Sequence, residues 1–102
     1  MPETTPEKSQ EERIIRSFFS SQTPLKLKQM PSKIAKTQVV AARIAQEFEP
    51  GRTYDEQEIN AVLKAIYPDY ATLRRTLIDF GLLTRSSNGS EYRAAERKEE
   101  NG

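Results

Sequence analysis

Arg75, flanked at helical spacing by Thr72, Thr76 and Asp79, is the side chain of this sequence best suited to recognition chemistry. A guanidinium can engage a phosphate or the edge of a guanine through two parallel hydrogen bonds. Hydroxyls on the same stripe can donate or accept beside it. Lys33, Lys36, Arg85 and Arg93 supply further cations of the kind that contact phosphates. The plainer reading of Arg75 is an i,i+4 ion pair with Asp79, worth only about 0.3–0.5 kcal/mol on an exposed helix face.

What is missing narrows the chemistry further. There is no Cys and no His, so the chain lacks the thiolate, the commonest general base and the commonest metal ligand. The sequence therefore argues against nucleophilic triads and zinc sites; no catalytic residue, metal or cofactor is expected, and the protein reads as a non-enzyme. Asp55, Glu56 and Glu58 resemble a metal-binding or acid/base cluster, but they fall in a first helical turn, where the helix dipole favours negative charge. Asn88-Gly89-Ser90 has the form of a glycosylation acceptor and reads better as a tight turn.

These side chains need a frame, and the sequence supplies one in pieces. A polar start at 1–8 and a charged end at 95–102 are expected to be disordered tails around a domain at 9–94, because neither buries enough apolar surface to offset its ordering entropy. A first helix begins either at Thr5-Pro6 or at Ser9, whose spacing to Glu12 is that of a capping box. Ile14, Ile15, Phe18 and Phe19 form its apolar stripe, which either docks on the core or forms a dimer interface. Pro24 to Met30 alternates like a short edge strand with lysines turned outward. A second helix is expected over about Ser32 to Phe48, with Ile34, Ala41, Ile44, Ala45 and Phe48 on its core face.

Arg52-Thr53-Tyr54 reads as a short extended piece. Asp55 then caps a third helix, with Glu58 completing a capping box and Tyr54 and Ile59 forming a hydrophobic staple. Ile59, Val62, Leu63 and Ile66 make its core stripe. Pro68-Asp69 breaks the chain and caps a fourth helix, about Tyr70 to Phe80. Leu73, Leu77 and Phe80 face inward, leaving Ala71, Thr72, Arg75, Thr76 and Asp79 outward, while Arg74 is expected to pack its stem and pair its head. Gly81 supplies a left-handed cap. Leu82 to Arg85 and Glu91 to Arg93 then form a hairpin closed by a two-residue type I′ turn at Asn88-Gly89, which sets Arg85 opposite Tyr92.

That order of elements predicts an α+β fold, mostly α, of winged-helix type: a helix-turn-helix followed by a small hairpin wing, with an extra N-terminal helix. In such folds the outer face of the second helix of the pair reads DNA. The segments Leu27 to Lys33, Phe48 to Tyr54, Asp69 to Leu77 and Gly81 to Arg85, with Phe18-Phe19 ahead of them, resemble the bacterial domain-of-unknown-function family numbered 2087, over about Phe18 to Tyr92. The resemblance implies a winged-helix-like domain, alone or behind helix-turn-helix regulators, with a link to transcriptional regulation and no known activity or ligand. Where that family has an acidic-Gly turn after the aromatic pair, this chain has Ser20 to Pro24.

A net charge of +1 conceals a segregation. Between Glu12 and Glu47 lie seven basic residues (Arg13, Arg16, Lys26, Lys28, Lys33, Lys36, Arg43) and no acid, so one region should attract polyanions. Solvated helix faces explain the same pattern. The leading function is binding of double-stranded DNA in bacterial transcriptional control, through Thr72, Arg75 and Thr76 with Lys33, Lys36, Arg85 and Arg93 on phosphates. The rival is a module that binds a regulatory protein or a second copy of itself. A monomer in the cytoplasm is expected, with no membrane contact, because no apolar run approaches the roughly 18 residues of a membrane span and no signal peptide is visible.

Overall fold

In the computed structural model, Asp55 and Asp69 set the two helices that define the fold. The structure describes residues 6–95, and the side chains from residue 9 onward. Most of both expected tails lies outside that range. Among the described residues the chain runs α1 (Pro6–Phe18), β1 (Phe19–Gln22), β2 (Leu25–Leu27), α2 (Ile34–Ala45), β3 (Thr53–Asp55), α3 (Glu56–Ile66), α4 (Tyr70–Asp79), β4 (Leu83–Arg85) and β5 (Glu91–Ala94). The Asp55 carboxylate accepts from the Glu58 amide at 2.8 Å, and Glu58 accepts in return from the Asp55 amide at 2.9 Å. That is the capping box its sequence signals. Asp69 accepts from the amide and the hydroxyl of Thr72, at 3.3 and 2.7 Å, so α4 starts where Pro68-Asp69 indicates.

α3 and α4, joined by the turn at Tyr67 to Asp69, form the helix-turn-helix. β3, β5 and β4 form an antiparallel sheet in that spatial order, with β5 central. This is the α+β, winged-helix-like arrangement, with β4–β5 as the wing and β3 tying it to the start of α3. A second, two-stranded sheet pairs β1 with β2. One core serves both layers: Val40 and Ile44 of α2, Ile59 and Leu63 of α3, Leu73 and Leu77 of α4, and Leu83 and Tyr92 of the wing are all 2% exposed or less. Tyr54 and Phe48 meet edge to face at 5.2 Å between ring centres, and the Glu49 amide donates to the Tyr54 hydroxyl at 2.8 Å. The end of α4 closes as a Schellman motif. Leu82 N–H donates to the Leu77 carbonyl and Gly81 N–H to that of Ile78, with Gly81 at φ +76°.

Four expectations need correction. Phe19 is not a helix residue: α1 ends at Phe18 and Phe19 enters β1, where the hairpin buries its ring to 4% exposure. The Ser20 to Pro24 join is therefore a hairpin, with a cis Thr23-Pro24 bond. α2 is shorter than expected, starting at Ile34 and ending at Ala45; Phe48 is buried from the turn that follows. Ile34, the first residue of α2, is 75% exposed rather than core, whereas Val40 and Ile44 further along the helix are buried.

The fourth correction concerns the wing tip. Ser86 and Glu91 still pair, by Ser86 N–H to the Glu91 carbonyl at 2.9 Å, leaving a four-residue loop instead of a two-residue one. A type I′ turn needs positive φ at both central residues. Gly89 has it, at +77°, but Asn88 does not. The Asn88 side-chain oxygen instead accepts from the Ser86 hydroxyl, the Ser90 amide and the Ser90 hydroxyl at 2.8–3.0 Å, an arrangement that organises the loop through the side chain.

Candidate nucleic-acid interface

Register decides which wing cations meet α4. Arg85 pairs with Tyr92, and Thr84 with Arg93. Directly paired residues share a face of the sheet and successive residues alternate. Arg85 therefore lies on the face of Tyr92, toward α4, whereas Arg93 stands with Thr84 and Thr53 on the opposite, outer face. The two arginines both border a shallow concavity with Thr53, Thr84 and Glu91, but only Arg85 of the pair also lines the α4 side.

On the Tyr92 side, α4 and the wing enclose an open cleft of about 420 Å³, lined by Ala71, Arg74, Arg75, Ile78, Asp79, Arg85 and Tyr92. Three guanidiniums from two elements thus meet in one concavity with one carboxylate. The Arg74 and Arg85 guanidinium carbons lie 5.9 and 6.0 Å from the Tyr92 ring centre, within cation–π range. Arg74 is held hardest. Its head donates to the Asn60 side-chain oxygen, lies 4.0 Å from a Glu56 oxygen, and its side chain is only 23% exposed. The packed stem and paired head are as expected, and the head also turns toward Tyr92. That orientation depends on how α4 seats on the sheet, which no local spacing encodes.

Arg75 is far more open than Arg74, 82% exposed, with its Nε 3.9 Å from Asp79. The expected ion pair with Asp79 is present, and the guanidinium is open to solvent. Thr72 and Thr76 fall on the same stripe with their hydrogens already committed: Thr72 donates to Asp69 and Thr76 to the Thr72 carbonyl at 2.8 Å. Each hydroxyl retains acceptor capacity, which suits an exocyclic base amine and not a phosphate. Lys33 and Lys36 are exposed at the start of α2 and are not part of the cleft lining.

Several other charges are used internally. Lys26 donates to the Ala65 carbonyl at 2.8 Å, capping the end of α3. Arg43 pairs with Glu47 at 3.0 Å. Arg52 lies 4.6 Å from the Tyr54 ring centre and near Glu49 and Glu58. The acids at the start of α3 are accounted for by the cap and by Arg52 and Arg74. Among the described residues no group of three or more His, Cys, Asp or Glu is placed to hold a metal, and no helix is long and apolar enough to cross a membrane. What the cleft offers is guanidinium donors suited to anionic oxygens.

Residues 26–94 match the model of a family described as an uncharacterized protein conserved in bacteria (DUF2087). The match begins in β2 and ends in β5, so α1 and β1 precede it. Neither the curated proteins nor the solved structures gave a match.

Proposed function

The chain belongs to the bacterial family DUF2087, and we propose that its domain binds duplex DNA in transcriptional control, as a cytoplasmic binding module and not an enzyme. One observation carries this reading: Arg74 and Arg75 from α4 and Arg85 from the wing converge on a single open cleft. Positive charges gathered in a concave site attract a polyanion more strongly than the same charges dispersed. In this reading α4 enters the major groove. Arg75 takes a base edge or a phosphate, Arg85 holds the flanking backbone, Arg74 adds its charge to the cleft from its fixed position, and the Thr72 and Thr76 oxygens face the bases. Lys33, Lys36 and Arg93 are outlying phosphate contacts.

The test is a titration of labelled duplex at low salt with the wild type, Arg75→Ala and Arg85→Ala. Both substitutions should weaken binding, by roughly 1–3 kcal/mol where the lost contact is bidentate. Binding that ignores both would reject this surface.

A second reading, a regulatory protein or second copy as the partner, draws on a different feature. α1 and α2 flank an open groove of about 380 Å³, whose lining includes Ile15, Val39 and Ala42 between Glu11 and Arg43. Ile14, Ile15 and Phe18 already pack on the core, which favours a monomer. Sedimentation at micromolar concentration reporting single chains supports the DNA reading; a stable dimer dissolved by Ile15→Glu supports the second.

A further inference from the structure

Asp79 is the last residue of α4, the end of a helix where an acid is disfavoured by the macrodipole. Helix stability therefore gives no reason for a carboxylate there. Nor does the Asp79–Arg75 pair hold the fold together, since its side chains are 66% and 82% exposed and such pairs contribute little. Asp79 is instead a wall of the cleft, the one acid among its lining residues, beside the well-exposed Arg75 guanidinium.

We propose that Asp79 is a built-in competitor for Arg75: it holds the guanidinium in the free protein, and a backbone phosphate of duplex DNA must displace it to bind. The inference rests on the DNA reading above. A carboxylate and a phosphodiester both offer two anionic oxygens to the same guanidinium fork, so the two occupy Arg75 in turn. At 3.9 Å between Arg75 Nε and the nearer Asp79 oxygen the pair is loose enough to open. Arg74, held by Asn60 and facing Glu56 at 4.0 Å, is not the group that changes partner. The consequence is selectivity. Asp79 weakens attachment to any isolated phosphate, so binding depends on several phosphates engaging the cleft together.

The experiment titrates a labelled random-sequence duplex at low salt with the wild type, Asp79→Asn, Arg75→Ala and the double variant. Asparagine keeps the shape and removes the charge. Matched thermal unfolding of the four chains shows that each is folded. Asp79→Asn should bind on the order of threefold to tenfold tighter than wild type, the effect of removing one exposed charge near contact distance. In the Arg75→Ala background the same change should gain less than about twofold, because the competition has lost its object. Binding by wild type and Asp79→Asn with equal affinity, or weaker binding by the variant, overturns this inference and leaves the DNA reading standing. An equal gain with and without Arg75 also overturns it, revealing general repulsion. No binding by any of the four rejects both.

Discussion

Arg85 lies against Gly89 of its own wing tip while its guanidinium carbon stands 6.0 Å from the Tyr92 ring centre. A Cβ at Gly89 would come 2.8 Å from an Arg85 terminal nitrogen and 3.3 Å from its Nε. The tip loop is thus a backing plate for the wing's cation, and the absence of a side chain at residue 89 is what lets the guanidinium lie there.

Gly89→Ala should therefore act twice. The positive φ costs an alanine about 1 kcal/mol, and the methyl pushes Arg85 aside. Chemical denaturation should show that modest loss, and duplex affinity should fall, but by less than in Arg85→Ala, because the displaced group is the far end of a flexible side chain. Affinity equal to wild type would mean Arg85 needs no support from the tip.

The core makes a sharp pair of predictions. Leu77 is 1% exposed and Ile34 is 75% exposed. Leu77→Ala should lower unfolding free energy by about 2–5 kcal/mol, a large share of a small domain's total. Ile34→Ser should change it by less than about 0.5 kcal/mol. A loss above about 1 kcal/mol at Ile34 would place that residue in an interface.

Asp55 and Glu58 satisfy two amides that would otherwise lack partners at the start of α3. Asp55→Ala should lower unfolding free energy by about 0.5–2 kcal/mol, read by denaturation. Duplex affinity measured where the variant is fully folded should stay close to wild type, because the cap is distant in role from the cleft. A loss of affinity there would mean α3 touches DNA.

Features with local causes were legible in the sequence. Asp55 and Asp69 announce their helices through side chains that reach only three residues along the chain, and Gly81 marks its own left-handed cap. The Arg85–Tyr92 pairing matches the expectation even though the turn differs, because a four-residue loop between Ser86 and Glu91 keeps the register that a two-residue turn would set. What failed was settled at a distance. Phe19 has helical spacing from Ile15 but pairs with Leu27 across a hairpin, and Ile34 has core spacing from Ala41 without any neighbour to cover it. For the site, Arg75 and Arg85 were identifiable by type. Their meeting with Arg74 depends on the docking of α4 against the wing, and the separation of Arg93 depends on strand parity.

The salt dependence of duplex binding tests the central claim most directly. Each phosphate contact releases counterions, so the logarithm of the binding constant should fall linearly with the logarithm of salt concentration, and loss of one contact should reduce the slope by about 0.9. The measurement is a titration of labelled duplex at several salt concentrations with wild type, Arg85→Ala and Arg75→Ala. The α4–wing cleft predicts a salt-dependent wild type and a slope shallower by about 0.9 for Arg85→Ala. It also predicts lost sequence preference for Arg75→Ala if that side chain reaches a base. No binding at low salt, or three equal slopes and affinities, would contradict it.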